Sequence, residues 1–192
     1  AIRAAGVLRT GGVILYPTDT LYGLGADAFS DAAVAKVQKI KGRVERKPIS
    51  CIVPDLAMAE KYVEINDVAR KLAEKFLPGP LTLILKKKPG VEGGIARGMD
   101  TIAIRIPNNE FCLELARTFG KPFTTTSANR AGILPAALPE EILTQLGEEG
   151  IDAVVDVGRL STSLPSTVVT VVSGSPSILR EGAIPSVHII GG

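Results

Sequence analysis

A short cluster of positive charges is the clearest candidate for anion chemistry in this sequence. Lys41, Arg43, Arg46 and Lys47 place four cations within seven residues. Residues two apart do not share a helix face, so Lys41 and Arg43 converge only if a helix ends between them, as Gly42 allows. Such a cluster suits a triphosphate, whose charge needs several compact donors. The alternative is a solvated run of surface charge.

A run of hydroxyl side chains from Thr124 to Ser127, followed closely by Asn129, forms a second candidate. Successive side chains of a strand point to opposite faces, so Thr125, Ser127 and Asn129 lie on one side if the segment is extended. Together they would make a polar wall for phosphate oxygens or for a small polar substrate. The alternative is an edge strand whose hydroxyl groups are satisfied by water.

The segment from Thr101 to Ile106 alternates between apolar and other residues, as a half-buried strand does. Its isoleucines face the core, and Thr101, Ala103 and Arg105 share the opposite face. An arginine directed from a strand in this way makes a two-pronged contact with a carboxylate. Alternatively, Arg105 extends its charged head to water from an exposed face.

Two further regions offer polar side chains beside expected strand ends. The segment from Pro17 to Gly25 contains Thr20 and two glycines after a strand, where α/β sheets place ligand loops; a capped turn is the alternative. Later in the chain, Ser166 adds a hydroxyl group and Arg180 adds a guanidinium.

Other chemistries have little support. The one histidine, His188, lies in an apolar segment without a motif that would supply a catalytic partner, and no Cys/His cluster has metal spacing. Cys51 and Cys112 are expected to be buried, inert thiols. The net charge of +2 and the 4% aromatic content do not indicate a nucleic-acid binder. Without a signal-peptide pattern or an apolar run of membrane-spanning length, the expected location is cytoplasmic.

The elements that must position these side chains alternate between helical and strand periodicity. We expect an α/β (α+β) fold in which one domain, residues 1–192, forms a twisted open sheet of mixed parallel and antiparallel strands with flanking helices. Strands are expected at Val13–Tyr16, Ile49–Val53, Leu81–Leu85, Thr101–Ile106, Phe123–Thr126, Ala153–Val157, Thr167–Val172 and Ser177–Arg180. Helices are expected at Ile2–Thr10, after Ser30 or Asp31, after Asn66, near Asn109 and from Pro139.

Taken in order, these segments resemble the YrdC family, also called TsaC, of threonylcarbamoyl-AMP synthases. The family signature, a KxR pair and an SxN pair, is met by Lys41/Arg43 and Ser127/Asn129. The stretches PTDTLYGLG, PGPLTL, AIRIP, STVV and LREG also match, so that the resemblance runs from about Ala4 to Gly182. It implies a deep cationic cleft over a twisted sheet.

The resemblance also implies roles for individual residues. The catalytic group would be Lys41, Arg43, Ser127 and Asn129. The L-threonine contacts would be Thr20, Arg105, Thr125 and Ser166. The ATP contacts would be Arg43, Lys47, Thr101, Ser127, Pro135 and Arg180. No protein metal site is expected, because Mg²⁺ would be held by the ATP phosphates.

The implied reaction joins L-threonine, bicarbonate and ATP into threonylcarbamoyl-AMP and pyrophosphate. The product would pass to a tRNA threonylcarbamoyl transferase complex that modifies tRNA next to the anticodon. Three departures from the family pattern bear on the site: Val44 replaces a common proline, Lys47 a common asparagine, and Arg130 adds a bulky cation.

Three alternatives stay open at this point. The first is an RNA-binding module for tRNA or double-stranded RNA, against which the low net charge counts. The second is a carbamoyl-adenylate-forming relative from hydrogenase maturation, for which zinc-finger and acylphosphatase segments would be expected nearby. The third is a non-synthase relative of the same fold, against which the intact KxR and SxN pairs count.

Overall fold

The fold is known from a computed structural model, which describes residues 1–42, 48–161 and 164–190. Seven α-helices lie within these residues: α1 Ile2–Arg9, α2 Asp31–Ile40, α3 Leu56–Ala59, α4 Asp67–Phe76, α5 Glu110–Phe119, α6 Pro139–Leu146 and α7 Ser186–Ile190. The strands there are β1 Ile14–Pro17, β2 Tyr22–Gly25, β3 Ser50–Ile52, β4 Leu81–Lys86, β5 Thr101–Arg105, β6 Phe123–Ser127, β7 Ala153–Val154, β8 Thr167–Thr170 and β9 Ser177–Arg180. None of the described helices is long and apolar enough to cross a membrane.

Side-chain caps begin several helices where the sequence predicts them. Ser30, Asn66 and Asn109 each accept a hydrogen bond from the backbone N–H three residues later. This contact satisfies a donor that the first helical turn leaves unpaired. Helix α5 ends at Gly120, whose φ of 80° is a left-handed conformation that glycine adopts without strain.

The strands form one sheet in the order β7-β1-β2-β6-β3-β5-β4-β8-β9. Strand β1 is antiparallel to β2 and parallel to β7, and β6 is antiparallel to both β2 and β3. Strand β5 is parallel to β3 and antiparallel to β4, while β8 is parallel to β4 and antiparallel to β9. The expected mixed open sheet with flanking helices is therefore confirmed.

Three apolar clusters hold the helices against this sheet. Helices α3 and α4 pack with the buried isoleucines of β5, Ile102 and Ile104. Helices α2 and α6 pack on Leu15 and Leu24 of the first hairpin. Helices α1 and α5 pack on the other face, around Tyr16. None of the described helices contributes to the cavity described below, which lies on the sheet face next to α5.

Several sequence expectations differ from the structure. Much of the segment expected as a ligand loop is strand β2, so that only residues 18–21 form the turn after β1. Strand β6 is internal, which excludes the edge-strand alternative for its hydroxyl groups. Strands β7 and β8 are shorter than predicted, and helices α3 and α7 were not predicted. Short elements such as these carry too few residues to show a periodicity.

Candidate active site

A cavity of about 590 Å³ opens on the sheet face that carries Arg105. Two ladder pairs form part of its floor, Ser50 opposite Thr125 and Thr82 opposite Arg105, because directly paired residues point to the same face. Segments between strands complete the wall: Thr18, Thr20, Leu21, Asn129, residues 134–137, Leu160, Ser161, Pro165 and Ser166.

Arg105 lies at the end of β5 and is only 6% exposed. Its Nη2 donates to Asp19 Oδ1 at 2.6 Å and to Thr20 Oγ1 at 2.8 Å. Its Nε is buried and has no hydrogen-bond partner among the described residues.

A second arginine lies across the cavity beside a pair of hydroxyl groups. Arg180 Nη2 donates to the Ser166 carbonyl at 2.8 Å, and the Oγ of Ser166 lies 2.8 Å from Thr82 Oγ1. Withdrawal from solvent and, next, the positive charge of Arg105 lower the pKa of the Arg180 guanidinium. The positive charges of the two arginines therefore repel each other, and an anion bound between them would reduce this repulsion.

The cavity wall is cationic. Arg105 and Arg180 are among its lining residues, and in the described part of the chain the lining contains no Asp, Glu or His. The remaining polar groups are hydroxyls, one side-chain amide and backbone. Such a wall can position anions, and it supplies no obvious general base.

Lys41 lies behind the cavity and does not face solvent. It is the C-terminal cap of α2, is 1% exposed, and its Nζ donates to the carbonyls of Ser127 and, at 2.9 Å, Asn129. Lys41 lies at a helix end, as expected, but the alternative of a solvated surface charge is wrong for this residue. Its ammonium holds the backbone that carries the SxN pair, since these carbonyls need a donor once they are buried.

Asn129 follows β6 and lines the cavity. Its Nδ2 donates to the Ile133 carbonyl at 2.6 Å and to the Arg130 carbonyl at 3.0 Å, while its Oδ1 is buried without a partner among the described residues. The amide is thus fixed by the loop that follows, and its oxygen is shielded from solvent.

A protein-held metal is not supported by the donor set. Within residues 1–42, 48–161 and 164–190, no group of three or more His, Cys, Asp or Glu side chains could hold a metal ion. Since Mg²⁺ prefers several oxygen ligands, the described residues do not form a magnesium site.

The structure brings most of the predicted site residues together. Eight of them line the cavity described above: Thr20, Arg105, Thr125, Ser166, Ser127, Asn129, Pro135 and Arg180. Thr101 does not line this cavity and pairs with Lys86. Thr101 lies four residues before Arg105 in β5, so the two are about 13 Å apart along the strand, with both side chains on the same face. Arg43 and Lys47 lie outside the described residues.

Three contributors were missed by the sequence analysis. Asp19 pairs with Arg105, Thr82 pairs with Ser166, and the hydroxyl of Tyr22 joins the 156–161 loop by donating to the Gly158 carbonyl at 2.8 Å and accepting from Val157 N at 3.1 Å. Asp19 and Tyr22 belong to the PTDTLYGLG stretch, so the motif itself was the available signal.

The remaining reactive side chains lie elsewhere. Cys51 and Cys112 are buried, as expected, and burial raises the pKa of the Cys51 thiol to about 12 and that of Cys112 above its usual value. Both are therefore protonated and unreactive near pH 7. His188 is exposed on α7 and does not line the cavity.

Comparison with known proteins shows to which family this chain belongs. The sequence profile of the Sua5, YciO and YrdC proteins, described as "Telomere recombination", matches residues 6–182. This chain belongs to the Sua5/YciO/YrdC family. The resemblance seen in the motifs is thereby confirmed.

Relatives in this family carry a common activity in their names. A Methanocaldococcus jannaschii protein provisionally named as a threonylcarbamoyl-AMP synthase is 43% identical over 178 residues, which are 93% of this chain and 83% of that protein. Threonylcarbamoyl-AMP synthase of Pyrococcus abyssi is 34% identical over 95% of this chain. The alignment covers 54% of the Pyrococcus protein, so this chain spans about half the length of that relative.

Solved structures of the Sua5/YciO/YrdC family share the fold. The P. abyssi Sua5 protein complexed with L-threonine superposes with a TM-score of 0.90 at 33% identity, over 98% of this chain and 56% of that one. Escherichia coli YciO superposes with a TM-score of 0.86 at 29% identity, over 98% of this chain and 91% of that one. The nine-stranded sheet is thus the fold of the family.

Proposed function

We propose that this protein is a threonylcarbamoyl-AMP synthase, a nucleotidyltransferase that joins L-threonine, bicarbonate and ATP. The observation that carries the proposal is the shared cavity. The four residues that the family resemblance assigns to threonine line the same cavity as three of those that it assigns to ATP: Ser127, Pro135 and Arg180. The names of the relatives and the threonine complex of the Pyrococcus protein support the same activity.

The threonine end of the site is proposed to lie between Arg105 and Ser166. Arg105 lines the cavity and its side chain is held in place by Asp19 and Thr20, which suits the recognition of a small carboxylate. Thr20, Thr125 and Ser166 supply hydroxyl groups around it that can pair with the amino and hydroxyl groups of threonine.

The nucleotide end is proposed to extend toward Ser127, Asn129 and Pro135, with Arg180 beside Ser166 where the two ends meet. The Arg180 guanidinium offers charge to phosphate oxygens, and the Ser127 hydroxyl offers a neutral donor. Lys41 acts from behind by fixing the carbonyl groups of Ser127 and Asn129. The proposed ATP contacts of Arg43, Lys47 and Thr101 rest on the family resemblance alone.

The chemistry proposed for this cavity has two steps. The neutral amine of threonine attacks bicarbonate to give the N-carboxylate and water. An oxygen of that carboxylate then attacks the α-phosphorus of ATP, and the bond to the β-phosphate bridging oxygen breaks to release pyrophosphate. Both partners of the second step are anions, so the contribution expected from Arg105 and Arg180 is to hold them together and offset their repulsion. Mg²⁺, when bound, would supply further charge on the phosphates of ATP.

The proposal extends to the fate of the product. Threonylcarbamoyl-AMP is an activated mixed anhydride, and we propose that a tRNA threonylcarbamoyl transferase complex consumes it in the cytoplasm. No feature of the described residues favours an RNA-binding module over this synthase.

Pyrophosphate release tests the proposal directly. The protein is incubated with ATP, L-threonine and bicarbonate, and with each omitted in turn. We expect release only with all three, and threonylcarbamoyl-AMP in the same samples by mass spectrometry. Equal release without threonine would identify a plain ATPase. RNA binding with a steep salt dependence and no pyrophosphate would favour the binding module.

A further inference from the structure

Asp19 is a buried acid that the family motif contains and to which the sequence analysis assigned no role. It lies in the turn between β1 and β2, and its side chain is 9% exposed. Thr18 Oγ1 closes this turn by accepting from the backbone N–H groups of Thr20 and Leu21 at 3.1 Å. The backbone on both sides of Asp19 is thereby fixed, and so is the origin of its side chain.

The carboxylate of Asp19 connects this turn to the end of β5. Its Oδ1 accepts from Arg105 Nη2 at 2.6 Å, and its Oδ2 accepts from the backbone N–H of Asn108 at 3.1 Å. One carboxylate thus holds both the guanidinium and the chain that follows its strand. Asp19 itself is not among the residues that line the cavity.

The contacts of Arg105 show which part of its fork is already committed. Both of its hydrogen bonds within the described residues leave from Nη2, one to Asp19 and one to Thr20. Its Nε has no acceptor there. One corner of the guanidinium is therefore clamped from outside the cavity, and Arg105 still lines the cavity, where its positive charge can attract an acceptor.

Asp19 also supplies a charge that the cavity wall lacks. Arg105 and Arg180 face the same space, and the described lining contains no acid. A buried guanidinium without a counter-ion is strongly unfavourable, and a second cation nearby makes it more so. The carboxylate of Asp19 offsets this repulsion without occupying the space that a ligand would take.

We propose that Asp19 is the positioning residue for ligand recognition: it orients and neutralises Arg105 from outside the cavity, so that the guanidinium is fixed before the carboxylate of the substrate arrives. This inference rests on the proposed function only in taking L-threonine as the ligand. Preorganisation of this kind lowers the cost of binding, because the arginine need not be ordered at that moment.

Asp27 provides a matched control. It too pairs with a cation, Lys121 Nζ at 2.7 Å, and accepts from a backbone N–H, that of Phe29 at 3.0 Å. Its side chain is 13% exposed, close to the value for Asp19. Asp27 does not line the cavity and does not contact Arg105. It therefore makes the same kinds of bond as Asp19 but at a position that does not affect Arg105.

The experiment compares Asp19→Asn and Asp27→Asn by calorimetric titration with L-threonine and with ATP, on samples whose melting temperatures are recorded. Asn keeps the size of the side chain but loses the charge and one acceptor. We expect Asp19→Asn to weaken L-threonine binding on the order of tenfold, as the loss of one charge-assisted hydrogen bond does, and to change ATP binding by less than about twofold. Asp19→Glu should recover part of the loss. Asp27→Asn should bind both ligands as the wild type does.

A measurement without ligand separates this inference from the proposed function. The Arg105 Nε–H should give a solvent-protected signal in ¹⁵N-resolved spectra of the wild-type protein, and that protection should fall in Asp19→Asn. If the wild type binds no L-threonine but the protection changes in this way, the proposed function fails and the positioning role stands. Unchanged protection, or equal losses of L-threonine and ATP binding, would overturn the positioning role.

A further variant covers the case in which Asp19→Asn does not fold because it leaves Arg105 unpaired. Asp19→Asn with Arg105→Gln removes both charges, and this pair should fold even if the single variant does not. If Asp19 acts through Arg105, the double variant should bind L-threonine as weakly as Arg105→Gln alone. A double variant that binds markedly more weakly than Arg105→Gln would show an independent role and contradict the proposal.

Discussion

At its Arg105 end the cavity is walled mainly by side chains of internal strands, with Thr20 and Ser166 added from adjoining segments, whereas at its Asn129 end it is walled by the segments that follow β6 and β7. The first region is held by an ion pair and by hydroxyl contacts between side chains. The second is held mainly by bonds to backbone carbonyls, from Lys41, Asn129 and Tyr22. Strands fix side-chain directions closely, and loops adjust more readily.

This difference fits a site in which the Arg105 end binds the amino acid and the Asn129 end binds the nucleotide. A small amino acid, which offers few atoms, needs donors held at fixed angles. A nucleotide offers many contacts, so its wall can be made of backbone and loop residues. Variants at the Arg105 end should therefore separate threonine binding from ATP binding, whereas variants at the Asn129 end should change loop position, stability and ATP use together.

The largest effect is expected from Lys41→Ala. Two buried carbonyls lose their charged donor, so the free energy of unfolding should fall by about 3 kcal/mol, and turnover should fall about a hundredfold or more because Ser127 and Asn129 lose their support. Chemical denaturation and pyrophosphate release on the same samples measure both. Lys39→Ala is the control, since the Lys39 side chain is 81% exposed. A Lys41→Ala protein of normal stability and activity would remove Lys41 from the site.

Arg105→Lys should have the next largest effect and the most selective one. Lysine keeps the charge but cannot contact Asp19, Thr20 and a ligand carboxylate at fixed angles. We expect the KM for L-threonine to rise about thirtyfold, by analogy with the loss of a charge-assisted contact of about 2 kcal/mol, and the KM for ATP to change little. Steady-state kinetics with each substrate varied will measure this. Equal rises in both KM values would show that Arg105 serves the two regions alike.

Ser166→Ala should give a smaller change at the same end of the cavity. Removal of the hydroxyl leaves Thr82 Oγ1 without its partner at 2.8 Å and removes one contact proposed for threonine. The expected loss is about 1–2 kcal/mol in kcat/KM for L-threonine. Ser161→Ala, in the loop part of the wall, is the comparison variant, and its effect on threonine should be smaller. The reverse order would break the proposed division of the cavity.

Tyr22→Phe should have the smallest effect. It removes only the hydroxyl that links β2 to Val157 and Gly158, and the ring still fills its buried place. We expect a loss of about 1 kcal/mol in unfolding free energy and a severalfold rise in the KM for ATP, with the KM for L-threonine unchanged. Amide hydrogen exchange in residues 156–161 should increase. A change confined to threonine would contradict the assignment of this loop to the nucleotide end.

Local patterns in the sequence predict the Arg105 end well. The alternation along β5 sets the direction of Arg105, and that along β6 sets Thr125 and Ser127, because the period of a strand decides which face a residue occupies. Helix starts were also predictable, since Ser30, Asn66 and Asn109 are capping residues. These features depend on neighbours within a few positions.

The Asn129 end was predicted less well because its contacts join distant parts of the chain. Lys41 bonds carbonyls 86 and 88 residues away, and a charged helix end gives no local sign that it turns inward. The sequence predicts a loop where strand β2 lies, because Tyr22–Gly25 includes two glycines, which have low strand preference. At the Arg105 end, the contact of Asp19 with Arg105 also joins residues 86 positions apart, and only the motif as a whole pointed to it.

The cavity wall draws on the chain from Thr18 to Arg180. During synthesis, therefore, no partial chain contains the whole site. A nascent chain that ends after β6 already includes Arg105, Thr125 and Ser127, but it still lacks Ser166 and Arg180. The cavity is therefore complete only when β8 and β9 have joined the sheet. A ligand that binds in it will stabilise the whole described fold, because strands from most of the chain contribute to its wall.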